Sequence, residues 1–67
     1  MNVADGYAIA ADWHDKHARG CREIADDYRV GEEIQAKARA AGLHHAASAA
    51  GLRLAAIEQR RRSLPSA

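Results

Sequence analysis

The sequence predicts an all-α protein: a long N-terminal helix, a turn near Gly42 and a shorter C-terminal helix form an antiparallel helical hairpin that assembles as a dimeric helical bundle. Two observations predict the helices. Apolar and small residues recur at spacings of three and four, and alanine, the best helix former, is abundant. A third observation predicts the dimer. A single helical domain of residues 1–67, with frayed ends at 1–4 and 63–67, has few large apolar side chains with which to build a core.

The first helix follows from one continuous stripe along the N-terminal half. Ala11, Ala18 and Ala25 occupy the position next to this stripe, and Asp5, just before it, is the predicted N-cap. Because the stripe is thin and partly polar, we expect a second helix to pack against it and assign it, with Leu52, to the dimer seam. The stripe consists of Tyr7, Ala10, His14, His17, Cys21, Ile24 and Tyr28.

The segment between Tyr28 and Ile34 has two interpretations. The stripe continues beyond it only after a shift of one residue. A stammer within one long helix, bent near Gly31, would produce this shift. A break at Gly31, with Glu32 and Glu33 starting a new helix, would produce it as well. We favour the long helix.

The segment from Lys37 to Leu43 has the form of a Schellman helix stop, with basic residues, a glycine and then an apolar residue. It predicts a turn at Gly42 to His44 and a final helix from about His44 to Arg62. One face of that helix is predicted to pack on its own chain, and the opposite face to meet a second chain or a partner. The first face is Leu43, Ala47, Ala50, Leu54 and Ile57; the second is His45, Ser48, Ala49, Leu52, Ala55 and Ala56.

Composition limits the class of protein. The net charge is +1, but residues 1–33 are mainly acidic and residues 34–67 mainly basic, so the two halves can attract each other, unless the charges are simply solvated helix faces. Because no apolar run approaches the roughly 18 residues of a membrane span and no signal peptide is visible, we expect a cytoplasmic protein. Its lone Cys21 cannot form an internal disulfide.

His14, His17 and Cys21 lie on one helical face and are ligand types that zinc accepts. Histidines on a helix seam also serve as partly polar filler, and paired-cysteine zinc signatures are absent, so we predict no metal site and no cofactor. His44 and His45 are expected to be exposed at the start of the final helix. No nucleophile with an activating base, phosphate loop or carboxylate pair stands out, so we predict a non-enzyme.

Protein–protein interaction is therefore the predicted function, because exposed aromatic and arginine side chains dominate binding energy at interfaces. Self-association and a second protein are the expected partners. Nucleic acid, bound through the C-terminal arginines, is one alternative class, but the near-neutral charge makes it less favoured. A metal-responsive helical regulator that uses His14, His17 and Cys21 is the other alternative. The candidate contact residues are Tyr7, Trp13, Tyr28, Arg53, Arg60 and Arg61.

Two resemblances add to this interpretation. Residues 38–57 resemble the helix-turn-helix of a single tetratricopeptide-type unit, with Gly42 at its turn glycine and Ala47 at its small packing residue. The whole chain resembles the small helical accessory proteins of temperate phages, which are often dimers that bind and disable a host protein. This second resemblance implies an inhibitor or modulator of a bacterial regulator.

Overall fold

The computed structural model describes residues 2–64, which form two antiparallel helices joined by a short connection. Helix α1 spans Val3–Ala25, a single 3₁₀ turn spans Tyr28–Val30, and helix α2 spans Glu32–Arg62. The two helices pack against each other along their length. The predicted all-α hairpin is therefore confirmed.

The position of the turn was predicted wrongly. The chain reverses between Asp26 and Gly31, whereas Gly42 lies inside α2. The favoured long first helix is therefore wrong, and the alternative break at Gly31, with Glu32 and Glu33 in the first turn of the next helix, is the observed structure. The C-terminal helix has 31 residues and the N-terminal helix 23, so their predicted relative lengths are also wrong. Residues 38–57 belong to one helix and form no helix-turn-helix.

Local hydrogen bonds and one glycine build the connection. The Asp27 carboxylate accepts from the backbone N–H of Arg29 at 3.0 Å and from its guanidinium at 2.8 and 2.9 Å. Gly31 has φ 91° and ψ 159°, a backbone region that is essentially restricted to glycine. The Gln35 side chain donates from Nε2 to the carbonyl oxygen of Ala25 at 3.1 Å and so satisfies an end group of α1.

The outer ends of the hairpin also differ in part from expectation. Asn2, not Asp5, caps α1, because its Oδ1 accepts from the backbone N–H of Asp5 at 2.9 Å. Val3 and Ala4, in the N-terminal segment predicted to fray, belong to α1. The predicted end of the last helix at Arg62 is confirmed, with Ser63 as its C-cap. Met1 and residues 65–67 lie outside the described residues.

Small residues fill the contact between the helices. Gly42 illustrates how close the approach is, since a Cβ atom there would lie 3.3 Å from the Cβ of Cys21. Within residues 2–64, no larger side chain is fully buried. The buried apolar residues of that segment are Ala4, Ala11, Ala18, Ala25, Ala38, Ala49 and Ala56.

The hairpin is long and thin. Its principal extents are 57 × 17 × 11 Å, and its radius of gyration is 15.9 Å, against about 11 Å for a compact domain of this length. Its accessible surface is 5178 Å², against about 4,100 Å² for a typical folded chain of this mass. The single hairpin therefore leaves two broad faces and two long edges open to contact.

Candidate interaction surfaces

Between Val3 and Ile24 of α1 and between Ala41 and Ala55 of α2, one broad face of the hairpin carries no Asp, Glu, Lys or Arg; Arg62, seven residues beyond Ala55, is the first charged residue after it on that row of α2. We call this face the histidine face, because histidines contact one another across the two helices at its centre. On α1 it comprises Val3, Tyr7, Ala10, Trp13, His14, His17, Cys21 and Ile24, and on α2 Ala41, His45, Ser48, Leu52 and Ala55.

A cluster of four rings lies at the middle of this face. The Nδ1 atoms of His14 and His45 are 2.8 Å apart, so the Nδ1–H of one ring donates a hydrogen bond to the Nδ1 atom of the other ring. The Trp13 ring packs against His17, with ring centroids 3.8 Å apart, and reaches His45 at 5.8 Å. The cluster thus joins α1 to α2, while Trp13 remains 53% exposed.

The surroundings of His45 favour its uncharged form. Partial burial lowers the pKa of His45 below its ordinary value of 6.5, and positive charge on His14, His17 and His44 lowers it further. The hydrogen bond between His14 and His45 needs an acceptor nitrogen on one of the two rings; protonating both rings would place two positive charges and two N–H donors at hydrogen-bonding distance. The centre of the face therefore keeps its geometry unless both rings are protonated.

The structure divides the residues that we assigned to the dimer seam. Tyr7, His14 and Cys21 are half-buried toward α2 within the same chain, so that part of the stripe serves the hairpin itself. Exposure is greater for His17, for Ile24 and for Tyr28, which lies in the connecting turn and is 84% exposed. Ala10 and Leu52 are half-buried on the histidine face.

Ion pairs between the helices mark the opposite broad face. Arg53 of α2 donates to Asp12 at 3.1 Å and also pairs with Asp15, both on α1. Arg60 approaches Asp5 at 3.8 Å. The hydrogen bond from Arg53 lowers the pKa of Asp15 below its ordinary value. Arg53, predicted as a partner contact, thus holds the two helices of its own chain together.

The inward face of the last helix was predicted wrongly. Of the face that we expected to be free, His45, Ala49 and Ala56 pack toward α1, whereas Ser48, Leu52 and Ala55 lie on the histidine face. The face expected to pack on α1 is exposed: Leu43 is 70%, Leu54 68% and Ile57 52% accessible. We call this exposed row on the long edge of α2 the outer stripe; its members are Ala40, Leu43, Ala47, Ala50, Leu54 and Ile57.

The predicted metal-ligand candidates do not form a site in this hairpin. His14 turns toward His45, and Cys21 lies against the backbone of α2 at Gly42. Among the residues that the structure describes, no group of three or more His, Cys, Asp or Glu side chains is arranged to hold a metal ion.

Three residues of these surfaces were not identified from the sequence. His45 was expected to be exposed at a helix start, but it contacts His14, and Asp12 and Asp15 were not recognised as partners of Arg53. The missing signal was the turn position. Once the chain reverses at residues 26–31, antiparallel counting brings residue 14 to the region of residue 45.

No known protein family matches this chain, and neither curated proteins nor solved structures match it significantly. Across residues 2–64, neither helix is long and apolar enough to cross a membrane. Functional inference must therefore start from the surfaces themselves.

Proposed function

We propose that this protein is a small homodimeric interaction module, in which two hairpins pack through their histidine faces into a four-helix bundle that binds a second protein. The observation that carries the proposal is the combination of a broad face that is uncharged from Val3 to Ile24 and from Ala41 to Ala55 with an interior in which every buried residue among positions 2–64 is alanine. Alanine contributes little buried area per residue, so the stability of the helix pair depends on covering further apolar surface.

Surface area gives the scale of the missing contact. The hairpin exposes 5178 Å², about 1,000 Å² more than a typical folded chain of this mass. A standard protein–protein interface buries about 800 Å² on each partner. One interface of ordinary size would therefore bring the exposed surface into the usual range.

The composition of the histidine face suits an interface with a second copy. Interface cores are depleted in charged residues and enriched in aromatic ones, and this face carries Trp13 and Tyr7 but no Asp, Glu, Lys or Arg between Val3 and Ile24 of α1 or between Ala41 and Ala55 of α2. Most of its large side chains, such as Ile24, are on α1, whereas α2 presents Leu52 and His45 among the small residues Ala41, Ser48 and Ala55. A two-fold axis that places α1 of each copy over α2 of the other would pair large residues with small ones.

The role of the dimer toward a second protein follows the resemblance to phage accessory proteins, as an inhibitor or modulator of a host regulator. The nucleic-acid alternative loses support because the basic C-terminus is locally neutralised. Arg60 lies 3.8 Å from Asp5, and Arg61 and Arg62 lie 3.7 and 3.4 Å from Glu58. A phosphate backbone would have to displace each of these carboxylates.

Sedimentation equilibrium combined with thermal unfolding tests the dimer. We expect a dimer at micromolar concentration and a Tm that rises with protein concentration. Ile24→Glu, on the histidine face, should shift the equilibrium strongly toward monomer, whereas Ile9→Glu should not, although Ile9 is another exposed isoleucine of α1. A folded wild-type monomer whose Tm is constant over about a hundredfold dilution would overturn the proposal.

A further inference from the structure

The centre of the proposed dimer contact consists of side chains that change charge near neutral pH. His14, His17 and His45 lie on the histidine face, and the ring centroid of His45 is 5.0 Å from that of His14 and 5.6 Å from that of His17. Histidine is the only side chain whose ordinary change of charge falls between about pH 5 and pH 8. The strength of this contact therefore depends on whether these rings have bound protons.

No carboxylate lies on the histidine face to compensate a protonated ring. The face carries no Asp or Glu over residues 3–24 of α1 or over residues 41–55 of α2. Asp12 and Asp15 of α1 pair with Arg53 on the opposite broad face instead. An imidazolium in the ring cluster therefore depends on water for its stabilisation.

The groups that act on His45 all disfavour its protonated form. Partial burial lowers the pKa of this ring, and positive charge on His14 and His17 of α1 and on His44 of its own helix lowers it further. The other ionisable side chains of the face are phenol and thiol groups, which have no positively charged form near neutral pH. A second copy that covers the cluster would remove more water and disfavour the proton further.

One proton affects the hairpin and the dimer differently. In a single hairpin, His14 and His45 keep their hydrogen bond when one ring is protonated, because the other ring still provides an acceptor nitrogen. The cluster lies midway along the face, so full overlap of two faces brings the rings of both copies near the two-fold axis. Each proton would then be withdrawn from water and placed near the same charge on the other copy. The dimer is therefore more sensitive to acid than the hairpin.

We propose that proton binding by the His14–His45 pair dissociates the dimer, so that the histidine face joins two copies at neutral pH and releases them in mild acid. This inference rests on the proposed dimer and assigns the regulation of that same contact. The monomer binds the proton more readily than the dimer, since the pKa of His45 falls further below 6.5 as the ring loses water. The contact is therefore complete above pH 6.5 and weakens as the pH falls below it.

Sedimentation equilibrium of the full chain at about pH 7.5 and about pH 5.5, at constant salt concentration, tests this proposal. Ordinary carboxylates stay largely ionised in this interval, so histidine is the side chain that changes charge. We expect the Kd of the dimer to be at least about tenfold higher at the lower pH. Raising the protein concentration at the lower pH should restore the dimer by mass action.

Matched variants assign the effect to the pair. His14→Gln combined with His45→Gln replaces two imidazoles by amides, which can hydrogen-bond to each other across the helices but bind no proton in this range. We expect this double variant to dimerise at both pH values, with a Kd that changes by about threefold or less. His44→Gln removes an exposed imidazole outside the hydrogen-bonded pair and should keep a change of about tenfold. His45→Gln alone gives the same comparison if the double variant is not helical.

The outcomes separate this inference from the proposed dimer. A monomer at both pH values would overturn both. A dimer with the same Kd at both pH values would overturn only the inference, and so would an equal loss of pH dependence in His44→Gln and in the double variant. If the wild-type chain loses its helical circular dichroism at about pH 5.5 to the same extent at every protein concentration, the proton acts within a single hairpin and the inference is wrong.

Discussion

The two broad faces of this hairpin are built from the same two helices but differ completely in charge. On the ion-pair face, Arg53 and Arg60 of α2 meet Asp5, Asp12 and Asp15 of α1. On the histidine face, imidazole rings make the cross-helix contacts, and Trp13 lies over them. The first face is complete within one chain and compatible with water. The second buries little and offers water few polar groups, which is why we assign the dimer to it.

Removing the largest exposed ring of the histidine face should have the largest effect of the substitutions that distinguish the two faces, and this effect is on dimerisation. We expect Trp13→Ala to weaken dimerisation by about 2–4 kcal/mol, because tryptophan is the residue type most enriched among interface hot spots. Sedimentation equilibrium gives the dissociation constant directly. Leu54→Ala, which removes exposed apolar area on the outer stripe of α2, serves as the control. Equal effects of the two substitutions would remove the distinction between the faces.

The connecting turn fixes which residues share each face, so straining it should affect both faces together. Gly31→Ala should lower the free energy of unfolding by about 1–3 kcal/mol, because φ 91° with ψ 159° is strained for any residue with a Cβ atom. Chemical denaturation followed by circular dichroism measures the change. Gly6→Ala is the control: it lies in α1, where a Cβ atom would meet no atom within 4 Å, and should be neutral or stabilising by up to about 1 kcal/mol.

Acid should affect the two faces in separate ranges of pH. The folded-state pKa of His45 lies below its ordinary 6.5. As the pH falls, His45 therefore binds a proton in the unfolded chain before it does so in the folded chain. Stability is complete above pH 6.5 and falls as the pH drops toward the lowered value. On the ion-pair face, the lowered pKa of Asp15 keeps stability constant until the pH falls below its ordinary 3.8.

Thermal unfolding as a function of pH can resolve these two ranges. His45→Gln should remove the decrease of Tm just below pH 6.5 and leave the decrease below pH 3.8 in place. The opposite result, an unchanged decrease near pH 6 in His45→Gln, would show that the ring cluster does not couple the helices.

The smallest effect is expected on the ion-pair face itself. Arg53→Gln should lower the Tm only slightly, since exposed ion pairs contribute little to stability, and the difference from wild type should shrink as salt increases. Dimerisation should be unaffected, which sedimentation of the same sample would verify. Arg19→Gln, at an exposed arginine of α1, is the matched control. Loss of the dimer in Arg53→Gln would show that the interface includes the ion-pair face, which would contradict its assignment to the histidine face.

Much of the local structure could be predicted from the sequence, but the turn could not. Both Gly31 and Gly42 are followed by plausible helix boundaries, and each local signal is worth only about 1 kcal/mol. A turn at Gly42 would have paired a long helix with one about half its length, leaving much of the first helix uncovered. The turn at Gly31 lets α1 face α2 from Ala25 to Ala4, which adds contacts along the whole hairpin.

The candidate surfaces were predicted less well, for the same reason. The stripe with His14 and Cys21 was recognised, but its partner His45 depends on the register that the turn sets. Leu43, Leu54 and Ile57 were assigned to the contact with the first helix because they are the larger apolar residues. The observed contact uses Ala49 and Ala56 instead, since small side chains allow the two backbones to approach closely.

The sequence by itself determined that this chain is helical, because alanine content and spacings of three and four act within a single helix and need no partner. It also indicated that one chain has few large apolar side chains with which to build a core, and the buried apolar residues of the described segment are all alanine. Only the tertiary structure decided which row of residues faces inward. Several rows of α1 and α2 are similarly small and apolar, and the choice between them depends on the sum of contacts made after the chain has reversed at Gly31.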